Sequence, residues 1–323
     1  MYDARTLKPT LHVSADEVEC PVLGCAVRVP RQRGHVRRDA MFRCVEHEIY
    51  ISASTHDHES AASNLLTPDA ENLALLARLV GEKRETARLG RERSEDALTF
   101  NVFRALERAG ALDAVMSDVA GRQVRRSLPA FWSLQSTTGR PERLLAAART
   151  VFREVVDRGT EPDVYIESDD TLFLIEAKLG ASNATTPTHV RSLDSYASAA
   201  DGWYARTFAS GPEVVAVQEQ RYQLMRLWLL GTWMAAQVDK QFVLVSLCTD
   251  ASDTGIETSF GAHIVQNELR RFKRYTWEAI REACRTGEGV ASLAPLVAYL
   301  DHRTSGYAST GQLQMALKPW ETP

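Results

Sequence analysis

Apolar side chains recur along this chain with two periods. Helical spacing comes first: Leu73, Leu76, Leu79 and Val80 fall three or four apart before the chain turns rich in Lys and Arg over 82–93. Thr67-Pro68-Asp69 stands ahead of that helix, with Thr67 able to cap it and Pro68 tolerated at the first helical position. A second helix is predicted to open at Ser94, with Glu95 and Asp96 in its positive first turn and Leu98, Val102, Phe103 and Leu106 inward, ending near Gly110. Residues 141–157 read as a third, burying Leu144, Leu145, Ala148, Val151, Phe152 and Val155, and 214–238 as a long fourth. Thr276-Trp277-Glu278 opens another. Strands are predicted at Val164–Glu167 and Leu172–Lys178, joined by the polar turn Ser168-Asp169-Asp170-Thr171, and at Gln241–Leu247. Residues 179–212 read as a partly helical insertion and 309–323 as a tail. No internal repeat or low-complexity linker interrupts the pattern.

A length of 323 residues suggests two domains at roughly 150 residues each. With 44% apolar and 25% charged residues the chain has ample core, and its formal net charge of −4 means that nucleic acid would have to be met by local basic patches. The N-terminus lacks the basic-then-apolar layout of a secretion signal, and the apolar stretch Leu224–Ala236 is too short for a bilayer and broken by Arg226. A soluble, cytoplasmic protein without membrane contact is expected. Its five cysteines, three of them before residue 45, point to metal ligation rather than disulfides.

The chemistry concentrates in Pro162-Asp163 followed, after a turn, by Glu176-Ala177-Lys178. Residues two apart on a strand face one way, so Glu176 and Lys178 project together. A hairpin with the preceding strand brings Asp163 near the level of Glu176. Carboxylate oxygens are the hard ligands that Mg²⁺ prefers, and such an ion can polarise a phosphodiester and activate a water. The lysine can orient that water or neutralise charge developing on phosphorus. Leu172, Phe173, Leu174, Ile175 and Ala177 are apolar on both faces, as in a central buried strand, where charged residues are costly unless paired.

This arrangement resembles the PD-(D/E)XK nuclease superfamily, the restriction-endonuclease-like fold, with the signature written as Pro162-Asp163 and Glu176-Ala177-Lys178. The resemblance spans roughly 94–285 in a few short motifs. It implies an α/β core with a mixed central sheet flanked by helices, and a DNA phosphodiesterase using one or two Mg²⁺ or Mn²⁺ ions on Asp163 and Glu176. Glu95, with Asp96 as the alternative, matches the helix glutamate that often completes the superfamily's metal site. Gln218 and Tyr222 match the Gln-x-x-x-Tyr pattern of its RecB-like branch; on one helix face they could hold scissile-strand phosphates or the lysine, with Arg226 a turn further on. The implied setting is bacterial restriction, repair or anti-phage defence. Alternatives are an RNA nuclease with the same machinery, or a non-catalytic nucleic-acid-binding subunit. A homodimer would serve concerted double-strand cutting. The chain has no phosphate-cradling glycine loop, so any translocation would need a partner helicase or ATPase chain.

Cys20 and Cys25, then Cys44 and His47, form two ligand pairs suited to tetrahedral Zn²⁺, with Gly24 permitting the knuckle turn. Residues 1–60 thereby resemble a zinc ribbon ahead of a nuclease domain at 61–323, although the first pair is spaced more widely than the commonest ribbon. His56 and His58 are alternative ligands. Between the pairs Arg28, Arg31, Arg33, Arg37, Arg38 and Arg43 could bind phosphates, and Arg270, Arg271, Lys273 and Arg274 could line a second basic groove. Trp228, Leu229 and Trp233 are expected to pack, Cys248 and Cys284 to be buried apolar residues, and His189 lies in the unassigned stretch.

Overall fold

The computed structural model describes residues 6–33, 37–83, 89–140, 142–154, 159–189, 192–287 and 290–320. By its contacts the chain divides into two compact units, Met1–Ala109 with Ile280–Pro323, and Gly110–Ala279. The boundary expected at residue 60 falls inside the first of these.

In the first unit β1 (Glu17–Glu19) pairs with β2 (Arg28–Pro30), and β3 (Arg43–Cys44), β4 (Ile49–Ile51) and β5 (His56–His58) form a three-stranded antiparallel sheet. Helices α1 (Ala70–Lys83) and α2 (Glu95–Arg108) follow. The cap of α1 is Asp69, not Thr67. The Asp69 carboxylate accepts the Asn72 N–H at 2.9 Å, while Thr67 offers only its carbonyl, to Asn72 Nδ2. Pro68 therefore precedes the cap. Ser94 caps α2 through Ala97 N–H at 3.1 Å, and Leu98, Val102, Phe103 and Leu106 are buried as their spacing predicts. Arg84 and Arg88 of the basic run lie outside the described residues.

The second unit runs through α3 (Leu112–Ala120), β6 (Leu128–Phe131), β7 (Leu134–Gln135), α4 (Arg143–Val151), β8 (Val164–Glu167), β9 (Thr171–Ala177), α5 (Ser192–Thr207, two helical pieces broken by non-helical backbone at Ala199–Gly202), α6 (Tyr222–Gln237), β10 (Gln241–Cys248), α7 (Ile256–Gly261) and β11 (Arg270–Thr276). Its six-stranded sheet has the order β11-β10-β9-β8-β6-β7, with β9, β10 and β11 mutually parallel and the rest antiparallel. It is a mixed central sheet flanked by helices. Every residue of β9 is buried, as an apolar strand covered on both faces must be. Leu172 and Leu174 share one core with Leu224, Leu227 and Trp228 of α6. The helix expected over 141–157 is shorter than its pattern: α4 ends at Val151, with Phe152 buried behind it. Val155 and Asp157 lie outside the described residues.

The chain then re-enters the first unit along α8 (Trp277–Thr286), whose first turn Thr276 Oγ1 caps by accepting Ala279 N–H at 3.1 Å. Helix α9 (Val290–Asp301) and the hairpin β12 (Thr304–Tyr307) with β13 (Leu313–Met315) complete it. The stretch expected to be a tail is thus structured in part, with β13 and its turn inside it, and residues 321–323 lie outside the described residues. Leu313 N–H donates to Pro9 O, Leu11 N–H to Gly311 O, and Tyr307 packs with Val18, Cys20 and Ile49. Thr304-Ser305-Gly306-Tyr307 carries no apolar alternation to announce it as a strand. Among the described residues no helix is long and apolar enough to cross a membrane.

Candidate active site and metal centre

Strand alternation places Glu176 and Lys178 on the same side of the sheet as Leu172 and Leu174. Lys178 Nζ lies 2.6 Å from Glu176 Oε1, and both side chains are largely buried, at 14% and 7% exposure. The strand end beneath them is fixed: Lys178 N–H donates to Leu247 O at 2.7 Å, and its carbonyl accepts Trp277 Nε1–H at 2.9 Å.

Asp163 immediately precedes β8 and meets β9 with an offset. Its N–H donates to Ile175 O at 3.0 Å, although Ile175 already pairs with Val164. The side chain turns along the sheet, so that Oδ2 accepts Ala177 N–H at 2.8 Å and Oδ1 accepts Trp132 Nε1–H at 3.3 Å. The carboxylate therefore sits against the residue between Glu176 and Lys178. Trp132 reaches it from the two-residue connection between β6 and β7, where Trp132 has φ 44° and Ser133 φ 74°. Such a pair of positive φ values is the type I′ hairpin, normally built from Asn-Gly, and costs a non-glycine residue about 1–2 kcal/mol. No Asn-Gly marks it, which is why the sequence did not single out Trp132.

The loop before Asp163 is anchored by residues that the sequence pattern also left unmarked. Arg149 Nε donates to Thr160 O at 2.7 Å, and Glu154 accepts from Thr160 N–H at 2.5 Å and from Tyr196 OH at 2.8 Å. Glu154 in turn pairs with Arg226 of α6 at 3.2 Å. Burial alone would lower the Arg226 guanidinium, but Glu154, with Tyr196 and Tyr222, outweighs it and raises the group above its ordinary value. Arg226 thus acts as a strut between α6 and the Asp163 loop.

On the parallel side Ser246 is the register partner of Glu176. It accepts Asn183 Nδ2–H at 2.9 Å, and Asn183 also donates to Asp253 Oδ2 at 2.7 Å. Asn183 is buried, and its Oδ1 has no hydrogen-bond partner. A water or ligand can complete such an acceptor. The same loop is tied to α6 through Thr185, whose carbonyl accepts Tyr222 N–H at 3.1 Å. His189 is exposed.

The single long helix expected over 214–238 is two elements. Val214–Gln218 forms a π-helical turn, Gln220 stands at φ 54°, and α6 begins only at Tyr222. Gln218 and Tyr222 therefore do not share a helix face, because the left-handed residue between them breaks the 3.6-residue phase. Gln218 is exposed, whereas Tyr222 packs edge-on to Tyr196 at 6.4 Å and beneath Arg226 at 5.2 Å. Glu95 and Asp96 open α2 in the first unit, both half-buried. The site built from Asp163, Glu176 and Lys178 draws on the second unit alone.

In the first unit Cys20, Cys25, Cys44 and His47 bring one ligand atom each within 4.8 Å of the others. Cys25 Sγ and Cys44 Sγ are 3.7 Å apart, and His47 Nδ1 lies 3.7 Å from Cys20 Sγ and 3.6 Å from Cys44 Sγ. A tetrahedral zinc with its usual bond lengths sets sulfur–sulfur edges of about 3.8 Å and sulfur–nitrogen edges of about 3.6 Å. The cluster therefore fits such an ion closely, and Gly24 at φ 83° supplies the turn between its first two ligands. Burial pushes the Cys20 and Cys25 thiols up, so a bound cation would be what holds them as thiolates. Among the described residues, the other group of three or more close ligand atoms is His56, His58 and Glu92.

The arginines near the cluster are engaged within the unit. Arg28 pairs with Glu17, Arg38 with Asp57, and Arg43 with Glu48 and Glu59, while Arg31 and Arg33 donate to the carbonyls of Ser14 and Ala15 and Arg37 lies over Phe42. The other basic cluster lies on strand β11, immediately ahead of α8. Arg270 and Arg274 there bond backbone carbonyls, leaving Arg271 and Lys273 as the members with the weaker structural claim. Trp228, Cys248 and Cys284 are buried as expected. Comparison of the chain with family models, with curated proteins and with solved structures gives no match.

Proposed function

We propose that the chain is a metal-dependent nuclease of the PD-(D/E)XK type that hydrolyses DNA, with the chemistry on Asp163, Glu176 and Lys178. The observation that carries this reading is a buried Glu176–Lys178 pair at the end of β9, with the Asp163 carboxylate hydrogen-bonded to the backbone amide of Ala177 between them. Two carboxylates beside one ammonium are a donor pair that would hold a divalent cation. The donor set is all oxygen, as Mg²⁺ or Mn²⁺ requires.

An ion held by Asp163 and Glu176 would supply Lewis-acid polarisation of the phosphate and an acidified water. The chain's own groups do the rest. Trp132 and the Ala177 amide fix the Asp163 carboxylate in one orientation, and the Glu154–Arg226 strut holds the loop that carries it. Lys178, anchored through both its backbone groups, sets its ammonium to steady the attacking water or the charge growing on phosphorus. The Cys₃His cluster would hold Zn²⁺ and keep its module folded. Restriction, repair or anti-phage defence is the setting that such an activity would serve.

The test is cleavage by the purified full chain of DNA and of matched RNA, with Mg²⁺ or Mn²⁺ and with chelator. Metal-dependent DNA products are expected. Products from RNA alone would transfer the reading to ribonucleic acid, and binding without products from either would favour a non-catalytic subunit.

A further inference from the structure

The His-Asp-His run of β5 places His56 and His58 on one side of their strand, since residues two apart project together. The segment 90–92 lies against it in antiparallel fashion: His58 N–H donates to Gly90 O at 2.7 Å, Glu92 N–H to His56 O at 3.1 Å, and Asp57 bridges to Arg91. The backbone thus carries Glu92 to the two imidazoles from more than thirty residues away. His58 Nε2 stands 3.3 Å and His56 Nε2 3.7 Å from the same oxygen, Glu92 Oε2. One ligand atom from each residue lies within 4.8 Å of the others. A zinc-sized ion with nitrogen and oxygen ligands at their usual lengths sets ligand–ligand edges of about 3.3–3.6 Å, and the observed separations bracket that range.

We propose that His56, His58 and Glu92 form a second metal centre, taking a divalent transition-metal ion such as Zn²⁺ through two imidazoles and one carboxylate. Both histidine rings present Nε2 to the carboxylate, the ring nitrogen that suits a shared ion. Imidazole with carboxylate is a donor set for Zn²⁺ and its first-row neighbours rather than for Mg²⁺. All three residues are shielded, with Glu92 nearly inaccessible. Arg303, fully buried, reaches Glu92 Oε2 at 3.4 Å, and Thr304 N–H donates to Glu92 Oε1 at 3.4 Å. These contacts orient the carboxylate and favour its ionised form, which is the form that binds a metal. The centre would cross-link β5 to the chain entering α2, within the first unit. It is separate from the cysteine cluster: Ile49 on β4 is the register partner of both Cys44 and His58, so the two backbones are roughly 10 Å apart across three strands.

A salt bridge between Glu92 and Arg303 with bystander histidines would need no ion, and metal stoichiometry separates the two cases. The full chain, expressed with zinc and freed of loose metal by gel filtration, is expected to carry two equivalents by elemental analysis. His58→Gln should carry one, and so should Cys44→Ser. Substitution with Co²⁺ identifies which centre remains: His58→Gln keeps the thiolate-to-cobalt charge-transfer band, which also reports that its cysteine module is folded, whereas Cys44→Ser shows only ligand-field absorption. Should His58→Gln prove insoluble, the wild-type count and the Cys44→Ser spectrum decide the matter. A single equivalent that Cys44→Ser removes and His58→Gln leaves intact overturns the proposal. None of these readouts depends on nuclease activity.

Discussion

Lys178 Nζ stands 2.6 Å from Glu176 Oε1, two residues away on one strand and on the same side of the sheet. The pair is largely buried, so the two charges stabilise each other there. Lys178→Met should lower stability by about 3 kcal/mol by stranding the carboxylate, and Glu176→Gln in the same chain should restore part of it. Urea unfolding of the four members of the cycle gives the coupling, expected above about 1 kcal/mol. Losses that simply add would mean that the two groups do not sense each other.

Zinc in the cysteine cluster gives a second prediction. Cys44→Ser should lose one equivalent of zinc and unfold at lower temperature, because the tetrahedron through Cys25 and His47 cannot close. Cys284→Ser, a buried cysteine away from any ligand group, serves as the control and should retain full zinc. Equal zinc content in both variants would remove the cluster from the account.

Helix α6 meets the sheet at Gly231, where an added Cβ would lie 2.1 Å from Phe242 Cζ and 3.0 Å from Leu174 Cδ1. Gly231→Ala should therefore destabilise the chain by about 2–3 kcal/mol, despite alanine's better helix propensity. Phe242→Leu in that background should recover part of the loss in thermal unfolding. A stabilising Gly231→Ala would show that α6 does not press this closely on β9 and β10.

How far these features were legible depends on whether their signals were local. The pairing of β8 with β9 was readable because Val164–Glu167 and Leu172–Lys178 are apolar runs flanking a polar turn, and the cysteine cluster because its ligands come in close pairs. The Ser94 cap carried its own signature. What escaped was set by distant partners or by backbone that ordinary residues rarely adopt. Trp132 and Ser133 make a glycine-type turn without glycine, and Gln220 at φ 54° splits a run that looks like one continuous helix. Residues 304–315 show no strand alternation to announce β12 and β13. His56 and His58 were visible as candidates, but nothing local pointed to Glu92 as their partner.

Asp113 offers a prediction on pH. It accepts backbone N–H bonds from Arg126 at 2.9 Å and Ser127 at 2.8 Å. Burial would raise this carboxyl, but Ser127 and the two amides outweigh it and hold it below its ordinary value of 3.8. A carboxyl depressed in the folded state contributes stability above its unfolded pKa and loses it as pH falls through the folded one. Asp113→Asn should therefore cost about 1 kcal/mol at neutral pH, a figure already reduced for solvent screening. The gap from wild type should stay constant down to pH 5 and narrow below the ordinary carboxyl value. A gap that widens in acid would reverse the sign assigned to this group.

The nuclease reading meets its most direct test in single-turnover cleavage of labelled DNA with Mn²⁺, comparing wild type with Asp163→Ala, Lys178→Ala and Gln218→Ala, each first checked for folding by circular dichroism. The expected result is loss of at least about a hundredfold in the first two and near-wild-type cutting by Gln218→Ala, which sits exposed and out of phase with Tyr222. Undiminished cleavage by folded Asp163→Ala and Lys178→Ala would place the chemistry away from the end of β9.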